Sequence, residues 1–213
     1  MTESSPGGAE PPALSLHEVA CRYGSRTVLA PLTLRLAPGA VCAVGGANGA
    51  GKTTLLRIAA GLVEPTSGSR SVSGRALYLR PGAGMRRRQR AVEAVAFAGA
   101  LAGRPEPAVS AAAALASCGL PEELWRQETG RLSAGQQTRV TLAVARVVSP
   151  AVVCLDEPME HLDAEGRAAV RATVAALAGR GTAVLVAGPE AAHHLGPADA
   201  RLELAAGAVT VLG

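Results

Sequence analysis

At 213 residues and 48% hydrophobic content the chain can bury one sizeable core, while a net charge of +4 singles out neither nucleic acid, lipid nor nucleotide. Aromatic residues make up only 2%, so that core must be built from Val, Leu and Ala. A run of about 18 apolar residues is lacking, which excludes a spanning helix, and Cys21, Cys42, Cys118 and Cys154 form no C-x-x-C pair, which predicts reduced thiols in a cytosolic protein.

Residues 1–12 (MTESSPGGAEPP) have neither a basic start nor an apolar segment, so the expectation is a disordered tail rather than a signal peptide, ahead of one domain over 13–213. LTLRL (32–36) alternates apolar and polar as a half-buried strand does. The pair Pro38–Gly39 then turns the chain into AVCAVG (40–45), a continuous apolar run suited to a buried parallel strand. From Gly51 a helical pattern runs through LLRIAAGL until EPTSGS (64–69) breaks it, and a short strand follows over 75–79 with Arg80 behind it. Residues 82–130 lose strand character. They carry an arginine-rich stretch and two Ala-rich helical segments with breaks at Pro105, Pro107, Gly119 and Pro121, so a helical subdomain is expected over about 82–148. A helix (133–148), a strand (151–155), a helix (164–178), a strand (182–187) and a small strand pair around Gly207 complete the pattern. Strands alternating with helices predict a parallel sheet covered on both faces.

Lys52 is the only lysine; the other basic residues are all arginines. It stands in GGANGAGKTT (45–54), which fits G-x-x-x-x-G-K-[ST] from Gly46 to Thr53 between a buried strand and a helix start. Glycines there let successive backbone N–H groups converge on phosphate oxygens. The helix start adds its positive end. Lys52 then reaches the terminal phosphates as a compact ammonium, and Thr53 is placed to ligate Mg²⁺. A bulky planar guanidinium does not fit a pocket walled by backbone, which explains why arginine is not used here. A Gly-rich turn with a chance lysine is the bland alternative, and the strand–loop–helix context speaks against it.

Three further stretches narrow the class: LSAGQ (132–136) opening a helix, AVVCLDEP (151–158) as an apolar strand ending in two carboxylates, and MEHLD (159–163) directly after. Each has an ordinary reading, as an S-x-x-Q capping box, a pair of solvated loop acids, or a plain loop. In this order behind a phosphate loop they resemble the ATP-binding cassette (ABC) family, from about Leu14 to Val211. The resemblance implies an α/β fold: a P-loop NTPase-type, mostly parallel sheet flanked by helices, with an N-terminal antiparallel β portion and an inserted helical subdomain. It implies ATP and Mg²⁺ as ligands. Gly46, Ala47, Asn48, Gly49, Ala50, Gly51, Lys52, Thr53 and Thr54 cradle the phosphates, Thr53 and Asp156 hold the metal, and Glu157 activates water. Tyr23 matches the aromatic that stacks on adenine, with Tyr78 a lesser candidate. Ser133, Ala134, Gly135 and Gln136, together with Asp163, serve the site of a second cassette in a head-to-tail pair, homo- or heteromeric. The implied protein is the ATP-binding subunit of an ABC transporter, hydrolysing ATP to drive a separate transmembrane permease subunit. It is then cytoplasmic and peripheral to the inner membrane through that partner.

Two positions depart from the family pattern. Pro81 stands where the family's Q-loop Gln is expected, and Gly188-Pro189 where the switch His should follow the strand. Gln89, His193 and His194 lie nearby in sequence but not at the matching places. Losing one positioned donor costs about 10²–10³ in rate, so slow hydrolysis is predicted. A degenerate cassette that binds ATP as a structural or regulatory module is the rival reading. A ribosome-associated cassette protein carries two cassettes in one chain, which 213 residues argue against. The run Arg86-Arg87-Arg88-Gln89-Arg90 reads as a solvated face or a contact to an acidic loop or anionic lipid. Nucleic acid is not expected, because no aromatic residues interleave to stack on bases.

Overall fold

The computed structural model describes residues 11–82, 85–103, 107–160, 162–189, 191 and 195–212, leaving aside the side chains of 107–110. It divides the strands between two sheets. Strands β1 (Leu14–Tyr23), β2 (Arg26–Leu36) and β4 (Ser67–Val72), named in chain order around β3 (Val41–Gly46), form an antiparallel sheet in the order β2-β1-β4. The second sheet contains β3, β5 (Ala76–Leu79), β6 (Val152–Asp156), β7 (Ala183–Ala187), β8 (Ala200–Ala205) and β9 (Ala208–Leu212), in the order β5-β6-β7-β3-β8-β9. All its pairings are parallel except that of β8 with β9. The helices are α1 (Lys52–Ala60), α2 (Ala91–Leu101), α3 (Pro107–Ser117), α4 (Ala134–Val148) and α5 (Ala164–Ala178), with short 3-10 turns at Glu122–Leu124 and Thr129–Arg131.

The apolar runs of β3, β6 and β7 are continuous because the sheet is buried on both faces, and alternate residues feed two different cores. Val41, Ala43, Val153, Leu155, Val184 and Val186 face the core shared with α2 to α5. Cys42, Val44, Val152, Cys154, Leu185 and Ala187 face the other, which is closed by α1 and the antiparallel sheet. With so few aromatics, Leu and Val supply the bulk: Leu14, Leu16, Leu29, Leu55, Leu56, Leu142 and Leu155 are each buried to within 1% of full enclosure.

The predicted fold class holds, including the antiparallel N-terminal portion, and three local expectations need correction. The helix from Gly51 stops at Ala60, two residues short of Leu62, because Gly61 takes a left-handed φ of 77° and its N–H closes on the carbonyls of Arg57 and Ile58. LTLRL is only the end of β2, an 11-residue strand. Ser67, Gly68 and Ser69, expected in a break, belong to β4. That strand (SGSRSV) is polar because it sits at a sheet edge with its side chains largely in solvent, and pairing with β1 holds its backbone. Hydropathy carries no signal for such a strand. Of the expected disordered tail, residues 1–10 lie outside the described residues. Among the described residues no helix is long and apolar enough to cross a membrane.

Candidate functional site

The topology brings the phosphate loop and the two carboxylates after β6 to one sheet edge. β3 lies between β7 and β8, so chain order reverses across it, and the carboxyl ends of β3, β5, β6 and β7 open on the same side. Ligands of open parallel sheets bind at such a point. Leaving β3, the chain turns through Gly46 and Gly51, with φ of 126° and 109°. A side chain at Gly46 would collide with the carbonyl of Leu204, and one at Gly51 would come within 2.5 Å of the Val28 carbonyl. Only glycine satisfies both the torsion and the crowding.

The start of α1 has no side-chain cap and no acidic residue in its first turn, so its backbone N–H groups and positive dipole end face outward uncompensated. Lys52, only 5% exposed, donates from Nζ to the carbonyls of Gly46 at 2.6 Å and Ala47 at 2.9 Å, which arches the loop over the ammonium. Arginine could not make both contacts inside that arch. A cavity of about 410 Å³ opens above, lined by Lys52, Thr53, Val28, Arg80, Glu157 and Glu160 among others.

Asp156, at the end of β6 and 1% exposed, is the buried carboxylate of the site. Its Oδ2 accepts from Thr53 Oγ1 at 2.9 Å and from the Tyr78 hydroxyl at 2.6 Å. Its Oδ1 is buried with no hydrogen-bond partner among the described residues. An orphaned buried carboxylate oxygen beside a threonine hydroxyl fits a hard cation that takes few protein ligands, which is the character of Mg²⁺. The Arg57 guanidinium lies 5.6 Å from the Tyr78 ring centroid. Burial raises the Tyr78 hydroxyl above its ordinary pKa, and the bond to Asp156 raises it further, so it stays a donor.

Glu157 follows with a left-handed φ of 54°, unusual for a residue with a side chain, and its N–H donates to the Ala187 carbonyl at 2.8 Å. Partial burial raises its carboxyl above the usual range. The charges of Glu160 and Asp156 add to this, while Arg80 opposes it. Arg80 Nη2 lies 3.1 Å from Glu157 Oε2.

The second motif group gathers elsewhere. Ser133 caps α4: its hydroxyl oxygen accepts from the Gln136 N–H at 3.3 Å, and Gln136 Oε1 accepts from the Ser133 N–H at 2.9 Å. The ordinary capping-box reading is therefore true of the geometry, and the first turn again carries no acidic residue. Asp163 caps α5 by accepting from Gly166 at 2.7 Å. Ser133, Ala134, Gly135, Gln136 and Asp163 line a separate cavity from the phosphate loop. Tyr23 is 56% exposed at the β1–β2 hairpin, paired with Arg26, and does not line the loop cavity itself.

Pro189 and Gly188 follow β7 and line a pocket that Glu157 shares, while Pro81 borders another with Arg80 and Glu157. Gln89 lies in the loop before α2, its carbonyl accepting from Thr129, and is not part of the cavity wall. His193 and His194 lie outside the described residues. Sequence reasoning gave Tyr78 a lesser role and Arg80 none. The available signal was their position at the end of β5, next to the strand that ends in Asp156.

A family model described as "ABC transporter" matches residues 29–160. The chain is 33% identical over 187 residues to the Fe(3+) ions import ATP-binding protein FbpC 1 of Rhizobium meliloti (strain 1021), covering 82% of this chain and 51% of that protein. It is 34% identical over 209 residues to the cytochrome c biogenesis ATP-binding export protein CcmA of Alcanivorax borkumensis (strain ATCC 700651 / DSM 11573 / NCIMB 13689 / SK2), covering 95% and 93%. The chain thus spans about half the length of the iron-import relative and nearly all of the export one. Among solved structures, a dimeric ATP-binding cassette in a post-hydrolysis state with ADP and Pi superposes with a TM-score of 0.82 at 21% identity, over 93% of this chain and 97% of that one.

Proposed function

The chain belongs to the ABC transporter family, and on that premise we propose that it is the ATP-binding subunit of a transporter, holding ATP over Gly46–Thr54 and hydrolysing it at a head-to-tail interface with a second cassette. One observation carries the reading: the buried, unpartnered Oδ1 of Asp156 beside Thr53, at the mouth of an uncapped helix start. Backbone donors and Lys52 supply the phosphate cradle. Mg²⁺ held by Thr53 and Asp156 would neutralise charge on the phosphates. Glu157, a carboxylate whose partial burial makes it more basic than an ordinary one, accepts the proton of the attacking water. The water oxygen bonds to the γ-phosphorus as the bond to the bridging oxygen breaks, and ADP leaves with that electron pair.

Ser133, Ala134, Gly135, Gln136 and Asp163 line a cavity apart from the chain's own phosphate loop, which supports their acting on the ATP of the second cassette. Tyr23, on an exposed hairpin, is assigned to adenine stacking. Residues 13–213 act as one cassette. Its helical part, about 82–148, meets a transmembrane permease subunit and keeps the protein peripheral on the cytoplasmic face of the inner membrane. Relatives named for import and for export both match, which supports assigning cargo and direction to the permease.

Gel filtration with light scattering tests the pairing. Glu157→Gln with Mg-ATP is expected to double in mass while the same protein with ADP does not; a monomer under both conditions refutes self-pairing at a shared site. Pro81 and Pro189 favour a second reading, a cassette that binds ATP as a structural or regulatory module. Under that reading ATP binds but single-turnover hydrolysis is absent.

A further inference from the structure

The ion pair between Arg80 and Glu157 bears directly on chemistry, because it ties an arginine in the wall of the phosphate cavity to the carboxylate that must accept a proton. Arg80 immediately follows β5, at the sheet edge where β6 delivers Asp156 and Glu157. Its guanidinium has Glu157 as its one partner among the described residues, at 3.1 Å, and its side chain is 48% exposed against 18% for Glu157. The remaining N–H donors of a planar fork are therefore available on the cavity side. A half-exposed pair of this kind is weak and easily exchanged.

Among the described residues that line the cavity the cations are Lys52 and Arg80, and Lys52 already spends two donors on Gly46 and Ala47. Facing them are Glu157 and Glu160, which repel any further negative charge. Phosphate oxygens take two parallel bonds from a guanidinium and carry more charge than a carboxylate, so an incoming phosphate outcompetes Glu157 for Arg80. Pro81 and Pro189 offer no such donor.

We propose that Arg80 is an ATP-responsive clamp: it holds Glu157 in the nucleotide-free site and transfers to the γ-phosphate of bound ATP, releasing Glu157 to take the water's proton. This rests on the ATP-hydrolysing reading above. Arg80 then stabilises charge on the transferring phosphoryl group in cis, the kind of contribution a positioned arginine makes in other phosphoryl-transfer sites. It also makes the base available only when the γ-phosphate is present.

The test uses the full chain with Mg²⁺, comparing ADP and the non-hydrolysable AMP-PNP by calorimetry in wild type, Arg80→Ala and Arg80→Lys, beside steady-state ATPase rates. Arg80→Ala is expected to weaken AMP-PNP about 10-fold, leave ADP within about 2-fold, and lower kcat by about 10²-fold; Arg80→Lys should restore part of the AMP-PNP preference. An unchanged AMP-PNP-to-ADP ratio in Arg80→Ala, or a faster kcat, overturns the proposal. So does a parallel loss of ADP binding, which marks a structural role. Wild-type protein that binds neither nucleotide overturns the ATP reading itself, and the clamp with it.

Discussion

Tyr78→Phe removes one atom, the hydroxyl oxygen that donates to Asp156 Oδ2 at 2.6 Å, and leaves the ring beneath Arg57. A hydrogen bond to a charged group contributes about 1.5–3 kcal/mol. Thr53 remains as a second donor to the same oxygen, which places the expected loss near the lower end, about 1–2 kcal/mol. In a domain of this size that corresponds to a fall in melting temperature of about 2–8 °C. Urea titration and calorimetry measure it. The pair Tyr78→Phe with Thr53→Val should lose more than the sum of the single variants, because it strands a carboxylate that is 1% exposed and already has one unpartnered oxygen. A Tyr78→Phe protein within about 0.3 kcal/mol of wild type, a difference at the level of ordinary additivity error, refutes the claim that Tyr78 fixes Asp156.

Lys52→Arg should fail to rescue what Lys52→Ala loses, with ATP affinity down at least about 100-fold in both, measured by calorimetry, since the arch of Gly46 and Ala47 carbonyls admits an ammonium but not a guanidinium. Gly51→Ala should destabilise by about 1–3 kcal/mol in urea, because φ is 109° and the new Cβ meets the Val28 carbonyl. Burial pushes the Cys42 thiol from 9.0 to about 12, so the unfolded chain ionises first as pH rises. Stability is then fully present below about pH 9 and declines between 9 and 12, which melting curves across that range will follow. All four cysteines are buried, and thiol reagents at pH 8 should modify none of them until the protein unfolds.

The legibility of this fold depended on where each segment sits. β3, β6 and β7 are covered on both faces, so burial is written into them as unbroken apolar runs, and the expected bounds of α5 coincide with the observed ones, with Asp163 capping its start. β4 is illegible for the opposite reason: an edge strand held by backbone pairing needs no apolar side chains. The apolar pattern overruns the end of α1 because Leu62 continues it although Gly61 has already turned the chain. At the site, glycines and Lys52 are legible because few other residues tolerate that geometry. Tyr78 and Arg80 act on Asp156 and Glu157 across 78 and 77 residues of sequence, a relation that exists only once β5 pairs with β6.

Whether the site cuts the ATP it holds is the central question, and single-turnover hydrolysis of Mg-ATP by wild type and Glu157→Gln, with protein in excess, tests it most directly. The account predicts slow but measurable release of phosphate from wild type and none from Glu157→Gln. Equal traces from the two proteins, whether both flat or both active, would contradict it.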